Sequence, residues 1–290
     1  RYGTVTGVQT CALPISFYTR PNICYTLVKN FPEVSKSKSM RILEPSVGVG
    51  NFLPCLIEKY RDVSKVIIDV CDIDAASIEV VKLLVSLLDV PSNIHINYIV
   101  ADSLLYNFAF HYDIVVGNPP YKKLAGKQAL LKKYKEEAMN KDTNNLFSFF
   151  IEKALACADV ASLIVPKSLI SAPEFNKTRM ELERCAVTRI IDFGEKAFKG
   201  VKIETVAFIA NTKALPTSTK VESYITNEVR ELAQSYIMDH AYPYWLIYRN
   251  EIFDKVAEKL EFGIFTAYRD RSITKRNTMK IGRASCRERV

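Results

Sequence analysis

The nine residues Asp113-Ile114-Val115-Val116-Gly117-Asn118-Pro119-Pro120-Tyr121 constrain this chain more than any other stretch. A short β-branched run reads as a buried strand, and the two prolines stop it abruptly, since neither can donate to a ladder and each disfavours helix in the residue before it. Asn118 and Tyr121 are thereby set at a strand's carboxyl end, where open α/β sheets gather their ligand-binding groups. Other apolar runs at 40–43, 66–71, 93–100, 161–165, 188–193 and 204–210 supply companions for that strand. Helical patterns at 51–60, 75–88, 144–158 and 173–185 fall between them, and strands alternating with helices specify a doubly wound α/β domain with a mostly parallel, seven-stranded sheet.

The Asn-Pro-Pro-Tyr exit fits one kind of chemistry, transfer of a methyl group to a planar, weakly nucleophilic nitrogen. Such a nitrogen must have both its hydrogens held while an electrophilic carbon approaches. The Asn118 amide oxygen and the Pro119 carbonyl can accept those two hydrogens, and the fixed φ of Pro119 presets its carbonyl direction. Tyr121 offers an aromatic face for a base.

Asn118-Pro119-Pro120-Tyr121, with Leu43-Glu44-Pro45-Ser46-Val47-Gly48-Val49-Gly50-Asn51-Phe52 and Phe17-Tyr18-Thr19-Arg20-Pro21, resembles the gamma-class S-adenosylmethionine-dependent adenine-specific (N6) DNA methyltransferases of restriction-modification systems. The resemblance covers about residues 17–211. It implies a Rossmann-like class I methyltransferase fold whose last strand is inserted antiparallel, S-adenosylmethionine as methyl donor, and double-stranded DNA with a flipped adenine as substrate. A cognate restriction endonuclease is implied as partner. The same Asn-Pro-Pro-Tyr serves enzymes that methylate protein glutamine or RNA bases; Glu44-Pro45-Ser46 and the loop around Phe198 favour DNA. A remnant that binds donor or DNA without turning over is the alternative from another class.

Glycines at 48 and 50, after a strand and before a helix, let backbone pass close to a ligand. Glu44 separates this turn from a dinucleotide site, because an acid there repels phosphate and attracts an ammonium such as the donor's. Asp72 ends the second strand about 20 residues on, the usual place for a carboxylate that grips ribose hydroxyls, and Asp74 reads as the cap of the following helix. The resemblance makes Asp102 the acceptor for the donor's adenine amino group, with Leu104 packed nearby. It has Tyr18 and Thr19 close over the donor; locally, Thr19 reads as an N-cap with Pro21 in the first helical turn. It also sets Phe198 against Tyr121 to sandwich the flipped base. A phenylalanine between lysines and glycines is otherwise poorly placed for a core.

The formal charge of +8 over 290 residues suits a polyanionic partner, and the lysines of 122–142, an expected solvated helix face, are candidates for phosphate contacts. Seven cysteines and three histidines show no zinc spacing, so no metal is expected. No apolar run approaches the roughly 20 residues of a membrane span, and a cytoplasmic, reduced protein is expected. Residues 1–16 and 281–290 resemble translated sequencing-adapter DNA and are read as foreign to the fold. That leaves a catalytic domain at 17–213, a linker-like stretch at 216–219, and the beginning of a C-terminal target-recognition or accessory region at 214–280.

Overall fold

The computed structural model describes residues 19–198, 200 and 202–260, so Tyr18, both adapter-like ends and residues 261–280 of the expected recognition region lie outside the described residues. Two units are present, divided after Tyr248. The first begins with α1 (Pro21–Val28) and continues through β1 (Ser39–Glu44), α2 (Leu53–Lys59), β2 (Lys65–Asp72), α3 (Ala75–Ser86), β3 (Ile94–Val100) and β4 (Tyr112–Gly117). Next come α4 (Gln128–Glu137), α5 (Leu146–Cys157), β5 (Ala158–Pro166), α6 (Ser168–Ser171) and α7 (Asn176–Glu183). The unit closes with β6 (Ala186–Gly194), β7 (Thr205–Asn211), β8 (Ser218–Ser223), β9 (Val229–Ala233) and α8 (Gln234–Ile237). The described part of the second unit carries α9 (Glu251–Ala257), capped by Asn250, whose Oδ1 accepts from the Phe253 amide at 2.9 Å.

The strands form one sheet in the order β3-β2-β1-β4-β5-β7-β6-β8-β9. From β3 to β5 every pairing is parallel, and β7 is inserted antiparallel between β5 and β6. The sheet therefore has nine strands where seven were expected. The two additions are β8, parallel to β6, and β9, antiparallel to β8. They were missed because β8 buries hydroxyls rather than an apolar run: Thr219 and Ser223 face inward around Val221, and the Thr219 hydroxyl donates to the Val187 carbonyl at 2.7 Å. The stretch read as linker-like thus leads straight into a strand.

Strand period and two-sided burial explain why the parallel strands read as unbroken apolar runs. Ile42, Ile68, Ile114 and Val116 pack on one face with Ile23, Leu27, Leu56 and Val81 of α1 to α3. Leu43, Val115 and Leu163 point the other way, onto Phe147, Ile151 and Leu182 of α5 and α7.

At the start of α1 the expected cap is displaced by one residue. Arg20, not Thr19, is the N-cap, and no side chain caps the helix. Pro21 at the first helical position confines its predecessor to extended backbone, and Arg20 has φ −68° and ψ 144°.

Candidate active site

The strand order reverses between β1 and β4, so the loops leaving those neighbours diverge and open a crevice beyond their carboxyl ends. Glu44 ends β1, Asp72 ends β2, Ala101 and Asp102 follow β3, and Asn118 follows β4. Parallel register brings all of these to one rim of the sheet.

The turn after β1 is tied to its neighbours from several sides. Val47 N donates to the Cys71 carbonyl at 3.0 Å, and the buried Ser103 hydroxyl donates to the Pro45 carbonyl. Gly48 N donates to Asp72 Oδ2 at 2.9 Å, so the expected ribose acid also shapes the glycine turn. Its Oδ1 accepts from Asp74 N at 3.0 Å; a carboxylate oxygen carries two lone pairs, which leaves Asp72 acceptor capacity. Asp74 takes the capping role, accepting from Ala76 N at 3.0 Å. Gly48 and Gly50 have φ of 55° and 80°, and a Cβ on Gly50 would come within 3.0 Å of Leu84. Both positions favour glycine.

Glu44 is 2 % exposed, and its Oε2 is buried without a hydrogen-bond partner. Burial pushes its pKa well above the carboxylate range, and the nearby Asp72 charge pushes it further. A lone buried acid at this rim is suited to a cation that arrives with a ligand. Because its folded pKa is raised, the stability Glu44 contributes is fully present below its unfolded value of 4.5 and is lost as pH rises. Glu44→Gln should therefore gain stability over the wild type between pH 5 and pH 8. Urea midpoints at the two pH values check this; a difference that does not change with pH would remove Glu44 as the buried acid.

Asp102 Oδ1 accepts from Leu104 N at 3.1 Å, and Oδ2 accepts from the Tyr134 hydroxyl of α4 at 2.6 Å. Sequence reasoning passed over Tyr134 because it lies in a lysine-rich stretch, although its spacing of three from the buried Leu131 marks an inward face. A cavity of about 740 Å³ between α4, α5 and α7 is lined by Leu104, Tyr134, Phe149 and Glu152. None of Glu44, Asp72 and Asn118 lines it, and it adjoins the rim only at the Asp102 end, through Leu104 and Tyr134.

Beyond β4, the Asn118 carbonyl accepts from Ser46 Oγ at 3.3 Å, which fastens the Asn-Pro-Pro-Tyr exit to the turn after β1. The Asn118 side-chain oxygen and Pro119 are buried. Tyr121 donates its hydroxyl to the Ile164 carbonyl at 3.1 Å, which fixes its ring, and its pKa is raised by burial. Phe198, expected in an accessible loop, is 2 % exposed. Its ring meets Tyr121 at 5.9 Å between centroids and 62°, edge to face. The two rings are thus brought together, but in mutual contact rather than held apart. Thr19 is buried, its carbonyl accepting from Asn51 Nδ2 at 2.8 Å.

Among the described residues no group of His, Cys, Asp and Glu could hold a metal ion, and no helix is long and apolar enough to cross a membrane.

Residues 68–198 match the model of the Eco57I restriction-modification methylase family. Over 107 residues the chain is 36% identical to the Type II methyltransferase M.PstI of Providencia stuartii, a stretch that takes in 33% of this chain and 20% of that relative. In fold it is similar to the type IIG restriction endonuclease BpuSI, with a TM-score of 0.61 at 19% identity over 83% of this chain and 33% of that one. A type I restriction-modification system methyltransferase subunit from Streptococcus thermophilus gives 0.57 at 15% identity, over 83% and 52%. A candidate class I S-adenosylmethionine-dependent methyltransferase from Listeria monocytogenes gives 0.57 at 17% identity, over 70% and 63%. The matches span less than two thirds of each of these relatives' length.

Proposed function

We propose, from the match of residues 68–198 to the Eco57I restriction-modification methylase family, that the chain transfers a methyl group from S-adenosylmethionine to the exocyclic amino nitrogen of adenine in DNA. The observation that carries this is the juxtaposition, at the point where the strand order reverses, of an unpaired buried acid with a glycine turn on β1 and an Asn-Pro-Pro-Tyr exit on β4, joined by the Ser46 to Asn118 hydrogen bond.

The donor fits the residues present. Glu44 and the backbone of the Gly48 to Gly50 turn would receive its amino-acid end, Asp72 its ribose hydroxyls, and Asp102 beside Leu104 its adenine. When bound, the sulfonium supplies an electrophilic methyl carbon. The chain's own part is to hold the acceptor nitrogen. Asn118 Oδ1 and the Pro119 carbonyl accept its two hydrogens, localising the lone pair toward the methyl carbon, and no strong base is needed to begin the displacement. A base can reach Asn118 only by leaving the duplex stack, at a cost of a few kcal/mol that contact with Tyr121 and Phe198 partly offsets. The methyltransferase domain is assigned to residues 17–213, double-stranded DNA is the substrate, and a restriction endonuclease is the expected companion.

The test is to express the chain in a host lacking adenine methylases and map modified bases in its DNA. N6-methyladenine at a recurrent short sequence is the expected result. DNA without modified adenine would sink the assignment.

A further inference from the structure

Three residues at the head of α1, Thr19, Arg20 and Asn22, fasten parts of the molecule that are far apart in sequence. The Thr19 carbonyl accepts from Asn51, the residue directly after the Gly48 to Gly50 turn. The Asn22 amide donates to the Tyr224 hydroxyl at 2.8 Å, and the Tyr224 ring packs edge-on against Phe193 at 5.5 Å. Between them, Arg20 reaches the turn that follows β6. Its backbone N–H donates to the Ala197 carbonyl at 3.4 Å, and its guanidinium Nη2 donates to the Phe198 carbonyl at 3.0 Å.

The other end of that turn is held by its own strand. Asp192 Oδ1 accepts from Gly194 N at 2.9 Å, Lys196 N donates to the Phe193 carbonyl at 3.0 Å, and Gly194 takes φ 50°. The Phe198 ring is itself packed in the core beside Phe193 and Ala197, and to its backbone Arg20 adds a charge-assisted bond from a planar donor. A carbonyl held in this way restrains the Cα beside it, from which the Phe198 ring meets Tyr121 at 5.9 Å.

We propose that Arg20 is a positioning residue of the base pocket: through the Phe198 carbonyl it sets the Phe198 ring against Tyr121, from the same segment that packs on the glycine turn. This rests on the methyl-transfer assignment above. It makes the head of α1 a physical link between the donor side of the rim and the side that receives the base.

The experiment is a mutant cycle in the full chain, with hydrogen exchange over residues 194–198 read by mass spectrometry, S-adenosylmethionine affinity by calorimetry, and methyl transfer to unmethylated genomic DNA. Arg20→Ala should speed exchange in the turn by about fivefold or more, since it removes one of the bonds that close it, and Arg20→Lys should restore most of the protection. Turnover should fall about tenfold in Arg20→Ala, while donor affinity stays within about twofold, because misplacing the pocket wall affects alignment more than donor contacts. Phe198→Ala should lose at least as much, and Arg20→Ala combined with it should lose no more, the non-additivity expected of residues acting through one another. Arg20→Gln stands in for Arg20→Ala if the latter melts earlier than the wild type. Unchanged exchange in the turn, or losses that multiply in the double variant, would overturn the proposal. A wild type that transfers no methyl counts against the methyl-transfer assignment and takes the pocket role with it, whereas a wild type whose activity survives both Arg20→Ala and Phe198→Ala overturns the Arg20 role alone.

Discussion

Asn118→Ala should lose methyl transfer by at least about a hundredfold, the scale on which one preorganised polar group acts, while still binding S-adenosylmethionine. The separation follows from how the residue is held. Its backbone carbonyl receives the Ser46 hydroxyl and the preceding Gly117 lies in register with Leu163 of β5, and neither contact uses the amide side chain. Truncation keeps these two backbone contacts and removes the oxygen that would accept from the acceptor nitrogen. Calorimetry and single-turnover transfer on the same preparation measure the two properties. Turnover within tenfold of the wild type would mean that Asn118 is not the group that holds the nitrogen.

Arg179→Ala should destabilise the protein by about 2–5 kcal/mol, the range when one or two buried acceptors lose their donor. Arg179 is 2 % exposed in α7, and its guanidinium donates to the Leu169 and Ala172 carbonyls, both at 2.9 Å, to Asn176 Oδ1 at 3.3 Å and to the Pro243 carbonyl at 3.1 Å. It thereby joins α6, the turn after it and the irregular stretch at 243–248, where Trp245 N donates to the Ile170 carbonyl at 3.2 Å. Removing the fork leaves several buried carbonyls to find other donors, at roughly 1–3 kcal/mol for each that fails. Arg179→Lys should recover little, because one ammonium cannot span four acceptors set around a planar group. Urea unfolding gives the comparison, and a loss below about 1 kcal/mol would show that the carbonyls are satisfied without it.

Neither the role of Arg179 nor that of Arg20 was legible in the sequence, for a common reason. An arginine that serves main-chain carbonyls leaves no pattern, since carbonyls carry no residue identity. The parallel half of the sheet was legible because burial on both faces writes itself as apolar runs at 66–71, 93–100 and 113–117, each ending at an acid, an Asp-containing turn or Asn118. Asp72 and Asp74 separated as expected, one at the end of β2 and one capping α3. The edge formed by β8 and β9 did not announce itself: β8 faces the interior with Thr219 and Ser223, and β9 is exposed along most of its length. Phe198 misled in the opposite sense. Its lysine and glycine neighbours predict an exposed ring, whereas tertiary contacts with Tyr121 bury it.

The insertion of β7 between β5 and β6 also dictates an order of assembly. Each of β2 to β4 finds, at the moment it emerges from the ribosome, an earlier strand to lie beside: β2 and β4 pair with β1, and β3 with β2. β6 has no such host, for its neighbours are β7 and β8, both still to be made. Nascent β6, and the turn bearing Phe198 that follows it, must wait for residues 205–211 to arrive and fill the gap beside β5. The half of the sheet that carries the glycine turn can thus close during translation, and the half that carries the aromatic wall closes after it.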